Sequence, residues 1–200
     1  VLSRYLGAWH DDFMGGTQVQ NFEQEWAEAF GVRNALAVNS ATSGLYAAMG
    51  AAGVGPGDEI ITAPITFAAS GNCALYLGAN VKFVDIRADT YCLDPAQLEA
   101  AITPRTKAII PVDHTGQPCD MEAINAIAAR HGIAVIEDAA HAHGARYQGK
   151  GLGTVGDIGS FSFQASKNLN SGEGGIILTN DPELADTCHS IHRCGRARGG

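Results

Sequence analysis

Short apolar runs alternate with helix-forming segments along most of this chain, and the alternation limits the folds that it can adopt. The apolar runs that we interpret as strands span residues 35–38, 59–62, 81–84, 108–112, 133–136, 158–163 and 175–179. Strands of this continuously apolar kind, separated by helices, are typical of a mainly parallel sheet that is covered on both faces. We therefore predict an α/β protein with the layers of an α/β/α sandwich.

The helices are predicted from spacing and from their first residues. Phe22, Trp26 and Phe30 recur every four residues, which predicts an amphipathic helix over residues 19–30. Further helices are predicted over residues 42–52, 68–77 and 121–131. Asp-Pro pairs at 94–95 and 181–182 predict two more helix starts, because Asp caps a helix and Pro suits its first turn.

Composition and charge exclude several classes of protein. Hydrophobic residues make up 46% of the 200 residues and charged residues 17%, a balance typical of a globular protein rather than a disordered one. The net charge of −8 without a basic run argues against a nucleic-acid partner. No segment approaches the ~20 apolar residues of a membrane span. The five cysteines lack C-x-x-C spacing, which argues against a zinc ribbon. We expect a cytoplasmic protein with reduced thiols.

Polar and aromatic residues follow the first two apolar strands, where parallel sheets bind ligands. Residues 39–44 read Asn-Ser-Ala-Thr-Ser-Gly and run into a helix. Such a turn is either an anion site at a helix N-terminus or an ordinary Ser/Thr cap. Phe67 follows the second strand and is either a ligand contact or a core aromatic.

A carboxylate, a histidine and a lysine follow two later strands. Asp138 comes just after the run 133–136, and His141 lies three residues beyond it. Taken alone, Asp138 could be a helix cap, His141 a satisfied histidine and Lys167 a surface lysine. Taken together with Phe67 and the hydroxylated turn, they are the parts of a pyridoxal phosphate (PLP) site. That site needs a carboxylate for the pyridinium nitrogen, an anion cradle, an aromatic plate and a lysine nucleophile.

Five ordered blocks carry a family resemblance: SATSGL, GDEIITAPITF, EDAAHAHGA, GDIGSFSFQASKN and SGEGG. In this order they resemble the DegT/DnrJ/StrS family of PLP-dependent sugar aminotransferases, over residues 15–196. The resemblance implies the large domain of the fold-type-I PLP-dependent transferases. It also implies a homodimer with composite active sites.

The resemblance implies a role for each matching residue around the PLP ring. Lys167 would bind PLP covalently and move protons, Asp138 would keep the pyridine nitrogen protonated, and Phe67 would stack on the ring. His141 would lie near the 3′-oxygen of the cofactor. Lys167 and Asp138 are thus the expected catalytic residues.

The resemblance also implies a phosphate site and a substrate pocket. Ser162, Thr42 and the backbone at Ala41 would bind the phosphate, although the family usually has Gly at the position of Ala41. Gln164 would line the substrate pocket, where many sugar aminotransferases have His. Gln164 and the segment 192–196 are similar to the cyclitol and aminohydroxybenzoate branch.

The implied reaction moves an amino group from L-glutamate or L-glutamine to a keto group. The acceptor would be a nucleotide-linked sugar or a cyclitol, in antibiotic, polysaccharide or glycan biosynthesis. We expect residues 1–200 to be the PLP-binding large domain, with 1–18 as an N-terminal arm. Family members are about twice as long, so we expect a piece that lacks the C-terminal small domain.

Three alternatives remain open. Asp113, His114, Asp138 and the His141-x-His143 pair could instead belong to a metal-dependent hydrolase, although the PLP interpretation needs no metal. A non-catalytic PLP-binding regulatory protein could share the fold. A sugar dehydratase of the same family is disfavoured, because His typically replaces the cofactor lysine in those enzymes.

Overall fold

The computed structural model describes residues 15–197 and contains one large sheet with helices on both faces. The strands are β1 (Asn34–Val38), β2 (Glu59–Thr62), β3 (Asn80–Phe83), β4 (Thr106–Ile110), β5 (Ala134–Asp138), β6 (Arg146–Tyr147), β7 (Lys150–Gly151), β8 (Ile158–Ser162) and β9 (Gly175–Thr179). The α-helices are α1 (Thr17–Phe30), α2 (Ala41–Ala51), α3 (Ala69–Tyr76), α4 (Pro95–Ala101), α5 (Met121–His131) and α6 (Pro182–His192).

The sheet has seven strands in the order β1-β9-β8-β5-β4-β2-β3. Strands β3, β2, β4, β5 and β8 run parallel to one another, whereas β9 is antiparallel to both β8 and β1. The predicted mainly parallel sheet is therefore confirmed. Its one reversed strand, β9, is paired on both sides and lies inside the sheet.

Successive strand residues pack on opposite faces of the sheet. Ile60 and Ile110 pack with α2, α3 and α6, whereas Ile61 and Ile109 pack with α4 and α5. Phe161 belongs to a third apolar cluster, and Trp26 and Phe30 of helix α1 pack against it. Because the strands are buried on both faces, they are apolar without alternation. This confirms the expected three layers.

Some predicted boundaries shift by one or two residues. Helix α1 begins at Thr17 instead of 19, and β4 covers 106–110 instead of 108–112. Strand β5 extends to Asp138, because its register with β8 pairs Asp138 with Ser160. The β6–β7 hairpin was not predicted, since two-residue strands carry no periodic signal. Of the expected N-terminal arm, residues 1–14 lie outside the described residues.

Both predicted Asp-Pro helix starts are confirmed. Asp94 Oδ1 accepts the N–H of Ala96 at 3.0 Å, and Asp181 Oδ1 accepts the N–H of Glu183 at 2.8 Å. Each carboxylate takes up a donor that has no partner within its helix. Over residues 15–197, no helix combines the length and the apolar character that crossing a membrane would require.

Candidate active site

The loops that follow β1, β2, β4, β5 and β8 enclose a cavity of 530 Å³ at the carboxyl edge of the sheet. All the site residues predicted from the sequence line it: Ala41, Thr42, Phe67, Asp138, His141, Ser162, Gln164 and Lys167. Residues separated by up to 126 positions, from 41 to 167, thus meet in one place. The parallel arrangement explains the meeting, because the carboxyl ends of parallel strands share one edge.

The N-terminus of α2 forms one wall of the cavity. Ser40 caps this helix, since its Oγ accepts the N–H of Ser43 at 3.1 Å. Strand β9 lies very close behind: a Cβ on Gly175 would come within 2.5 Å of the Ser40 carbonyl carbon and 2.7 Å of Ala41 N. Only glycine permits this approach, which sets the position of the helix start. A helix N-terminus with adjacent hydroxyls can bind an anion.

Ser162 lies at the end of β8, opposite that helix start. Its Oγ accepts the N–H of Gln164 at 3.3 Å, which leaves the hydroxyl hydrogen available to donate. Gln164 itself is tied into the loop, because its Oε1 accepts the N–H and the Oγ–H of Ser166 at 2.9 and 2.5 Å. The loop that carries Lys167 is therefore ordered by its own hydrogen bonds.

Asp138 lies at the end of β5 and is 5% exposed. Its Oδ2 accepts a 2.6 Å hydrogen bond from Ser70 Oγ, and its Oδ1 accepts the N–H of Ala140 at 3.2 Å. Burial raises the pKa of Asp138, while the hydrogen bonds from Ser70 and Ala140 and the charges of His141 and Lys167 lower it. A buried carboxylate of this kind can hold a cation that enters the cavity.

The amine of Lys167 is held by His141 on the neighbouring loop. Lys167 Nζ lies 2.7 Å from His141 Nε2. Partial burial and then the charge of Lys167 lower the pKa of His141, which favours the neutral imidazole. We infer that Lys167 Nζ donates and that Nε2 accepts, since a protonated imidazole nitrogen could not accept.

Phe67 lies at the mouth of the cavity, in the loop between β2 and α3. Its side chain is 75% exposed, so the alternative that it is a core aromatic is wrong. A large aromatic face in this position is available to cover a planar ligand.

The two imidazoles of the His141-x-His143 pair do not face the same cavity. Whereas His141 faces the cavity, His143 packs among Trp26, Phe161 and Phe163, and its Nδ1 lies 2.7 Å from Asn168 Oδ1. Within residues 15–197, no group of three or more His, Cys, Asp or Glu residues could hold a metal ion. The structure thus does not favour the metal-dependent hydrolase.

Sequence reasoning missed the residues that support Asp138 from behind. Ser70 is fully buried on the first turn of α3, and Thr66 lies in the loop that leads into this helix.

Asp113, which the sequence suggests only as a metal ligand, is buried beside the cavity, and its Oδ1 accepts the N–H of Cys119 at 3.3 Å. Burial and the charge of Glu137 raise the pKa of Asp113 well above its usual range.

Residues 8–200 match the model of the DegT/DnrJ/EryC1/StrS aminotransferase family. The chain belongs to this family. The family that the five sequence blocks indicate is therefore confirmed. The match includes every strand of the sheet and every residue that lines the cavity.

Individual relatives agree with the family. The chain is 50% identical over 184 residues to the spore coat polysaccharide biosynthesis protein SpsC of Bacillus subtilis, covering 91% of this chain and 47% of SpsC. The chain thus spans about half the length of such curated relatives.

Solved structures share the fold. The crystal structure of 3-amino-5-hydroxybenzoic acid synthase superposes with a TM-score of 0.89 at 46% identity, covering 92% of this chain and 49% of that one. The structure of NtdA from Bacillus subtilis, described with the bound cofactor PMP, gives a TM-score of 0.83 at 37% identity, with 88% and 40% covered. These structures confirm the predicted fold class, that of the PLP-dependent aminotransferases.

Proposed function

We propose that this chain is the PLP-binding part of an aminotransferase that acts on a sugar or a cyclitol. The observation that carries the proposal is that one cavity contains both the Lys167 amine, held beside His141, and the buried Asp138 carboxylate. A lysine nucleophile and a carboxylate for a ring nitrogen are the two groups that distinguish a PLP site from a general anion site.

The residues around the cavity fit PLP in charge and in shape. The start of α2, Thr42 and Ser162 offer donors to a phosphate, and glycine at position 175 allows the close backbone approach there. Phe67 offers a face to a ring, and Asp138 offers a negative charge to the ring nitrogen. When bound, PLP supplies an electron sink that makes the Cα proton of an amino acid removable.

Each side chain has a separate task in this proposal. Asp138 would accept a hydrogen bond from the protonated ring nitrogen. The negative charge of the carboxylate would keep the proton on that nitrogen, because opposite charges at short range stabilise each other. Lys167 binds the cofactor covalently and afterwards carries protons at its Nζ. His141 holds that nitrogen in place through the 2.7 Å contact to Nε2.

The partners of the reaction are also part of the proposal. The amino donor is L-glutamate or L-glutamine, and the acceptor is the keto group of a nucleotide-linked sugar or of a cyclitol. SpsC is named for polysaccharide biosynthesis, which supports a sugar acceptor, and the synthase above is named for an amino-hydroxybenzoic acid, whose amino group is on a carbocyclic ring. We further propose a cytoplasmic homodimer with composite sites, in which Gln164 lies near the acceptor.

The test is covalent labelling of the complete polypeptide that carries this sequence. We expect a yellow protein with PLP, and borohydride reduction should fix the cofactor on the peptide that contains Lys167. Lys167→Ala should lose this label, whereas Lys150→Ala, on the exposed hairpin strand β7, should keep it. Absence of a label from the wild-type protein would refute the proposal.

Addition of an amino donor separates the two remaining PLP interpretations. An aminotransferase converts its bound PLP to pyridoxamine phosphate when L-glutamate or L-glutamine is added, and a keto acid is released. A labelled Lys167 without conversion by either donor would instead favour the non-catalytic PLP-binding protein.

A further inference from the structure

Two hydroxyl groups lie behind Asp138 in a chain of short hydrogen bonds. Ser70 Oγ is 2.6 Å from Asp138 Oδ2, and Thr66 Oγ1 is 2.6 Å from Ser70 Oγ. Ser70 is fully buried, and Thr66 is half-buried where it lines the cavity. These two hydrogen bonds therefore connect Thr66, at the surface of the cavity, to the Asp138 carboxylate through the buried Ser70 hydroxyl.

The chain of bonds has one direction. A serine hydroxyl has a single hydrogen, and an ionised carboxylate can only accept. Ser70 also lies 3.2 Å from the Phe67 carbonyl oxygen, but the carboxylate is closer and charged and takes the hydrogen. Because the Ser70 hydrogen is committed to Asp138, the hydrogen between the two hydroxyls must come from Thr66. The order is thus Thr66 to Ser70 to Asp138.

Opposing influences act on the charge of Asp138. Burial raises its pKa, and the hydrogen bond from Ser70 is the largest influence that lowers it. The N–H of Ala140 and the charges of His141 and Lys167 lower it further. Cys73 on α3 and Asp113 after β4 also lie within electrostatic reach. Among these groups, Ser70 is the one whose removal should move the pKa of Asp138 most.

We propose that Ser70 and Thr66 are positioning residues that keep the Asp138 carboxylate ionised and oriented toward a cationic ring nitrogen. This inference rests on the proposed function for the identity of that nitrogen. Phe67 lies between the two residues in sequence, and the N–H of Ser70 donates to its carbonyl at 3.2 Å. One five-residue segment, 66–70, thus provides both the aromatic face and the support of the carboxylate.

The direct test is the pKa of Asp138, measured by carbon-13 NMR of its carboxyl group in the protein without cofactor. Ser70→Ala should raise this pKa by about one unit, because a hydrogen bond to a charged group is lost. Thr66→Val should raise it less. The control is Thr62→Val, which removes a fully buried hydroxyl that donates to Ile110 O at 2.9 Å rather than to Asp138. An unchanged pKa in Ser70→Ala would overturn the proposal.

Two further variants keep the test decisive. Ser70→Thr retains the hydroxyl and should restore the wild-type pKa of Asp138, which a purely structural role of Ser70 would not predict. If Ser70→Ala does not fold, Thr66→Val alone decides, because Thr66 is only half-buried. If the pKa of Asp138 shifts no more in Thr66→Val than in Thr62→Val, the proposed role of Ser70 and Thr66 would be refuted.

The loaded protein separates this inference from the proposed function. In Ser70→Ala, borohydride should still fix PLP on Lys167, whereas conversion of the cofactor by the amino donor should slow about tenfold, as expected for a one-unit pKa change. Wild-type protein that takes up no PLP would refute the proposed function but would leave the NMR result standing. Normal PLP uptake by the wild type, together with an unchanged pKa of Asp138 in Ser70→Ala, would refute only the proposed role of Ser70 and Thr66.

Discussion

Lys167 Nζ and His141 Nε2 lie 2.7 Å apart, although 26 residues separate them in the sequence. The two residues follow β8 and β5, which are neighbours in the sheet. A second contact lies beside the first, because His143 Nδ1 is 2.7 Å from Asn168 Oδ1. His141 and His143 thus contact Lys167 and Asn168, two consecutive residues of the loop that follows β8.

Replacing His141 should slow the capture of PLP by Lys167. His141→Ala removes the acceptor that positions the amine, and a hydrogen bond to a charged group contributes about 1.5–3 kcal/mol, so we expect roughly a tenfold loss of rate or more. Stopped-flow absorbance at limiting PLP measures this rate. His131→Ala, on the exposed end of α5, is the matched control and should leave it unchanged. An equal rate in both variants would contradict the contact.

Asp138→Asn should separate stability from reactivity. Burial raises the pKa of Asp138, so loss of the charge favours the folded protein, whereas the amide nitrogen of Asn cannot accept the hydrogen bond that one carboxylate oxygen accepts from Ser70 or Ala140. Because the two effects oppose each other, we expect the free energy of unfolding at pH 7 to stay close to that of the wild type. Conversion of bound cofactor by the amino donor should fall by about 10²-fold or more. Denaturant unfolding and single-turnover absorbance give the two quantities. A less stable variant with normal conversion would reverse both expectations.

Ser162→Ala should weaken the retention of PLP more than it slows amino transfer. The Ser162 oxygen already accepts the Gln164 N–H, so its hydrogen is the part available to a phosphate. Loss of one charge-assisted hydrogen bond should raise the dissociation constant about tenfold. Equilibrium dialysis and saturated single-turnover rates distinguish the two effects. Similar losses in both would argue against a role confined to the phosphate.

Gly175→Ala should destabilise the protein and disturb the start of α2. The added Cβ would lie 2.5 Å from the Ser40 carbonyl carbon and 2.8 Å from the Phe161 carbonyl oxygen, so backbone must move. Overpacking of this kind costs about 1–3 kcal/mol or more. Gly55→Ala is the control, because the nearest atom to its Cβ would be Asp58 Oδ2 at 3.9 Å. Thermal unfolding curves that coincide for the two variants would disprove the close approach.

The stability of the protein should depend on His192 between about pH 6.5 and pH 4. Burial, followed by the charges of Arg193 and His189, lowers the pKa of His192 to about 4. The unfolded chain takes up this proton near pH 6.5, so stability is lost as the pH falls from there toward 4. The raised pKa of Asp113 and of Glu137 acts in the opposite direction.

The contribution of His192 is therefore measured as a difference. The free energy of unfolding is determined by denaturant titration from pH 4 to pH 7 for the wild type and for His192→Gln. The wild type should lose stability relative to the variant as the pH falls through this window. Parallel curves would show that His192 does not titrate as its surroundings require.

Most of the fold follows from local patterns. The apolar strands, the Phe22–Trp26–Phe30 spacing and the Asp-Pro helix starts each predict an element that the structure contains. Boundaries shift where pairing decides them, as at Asp138, whose place in β5 follows from its register with Ser160. The β6–β7 hairpin was missed because two residues per strand are too few for a period.

The sequence by itself determined the α/β architecture, the family and eight of the residues that meet at the carboxyl edge of the sheet. Those properties depend on periodicity, on strand ends and on ordered motifs, which a linear chain already contains. Only the tertiary structure decided the hydrogen-bond partners of those side chains and the direction in which burial shifts the pKa of Asp138 and His141. Ser70 meets Asp138 across 68 residues, and His141 meets Lys167 across 26. The physical reason is that burial and distance, which set a pKa and direct a hydrogen bond, arise only when distant segments pack together.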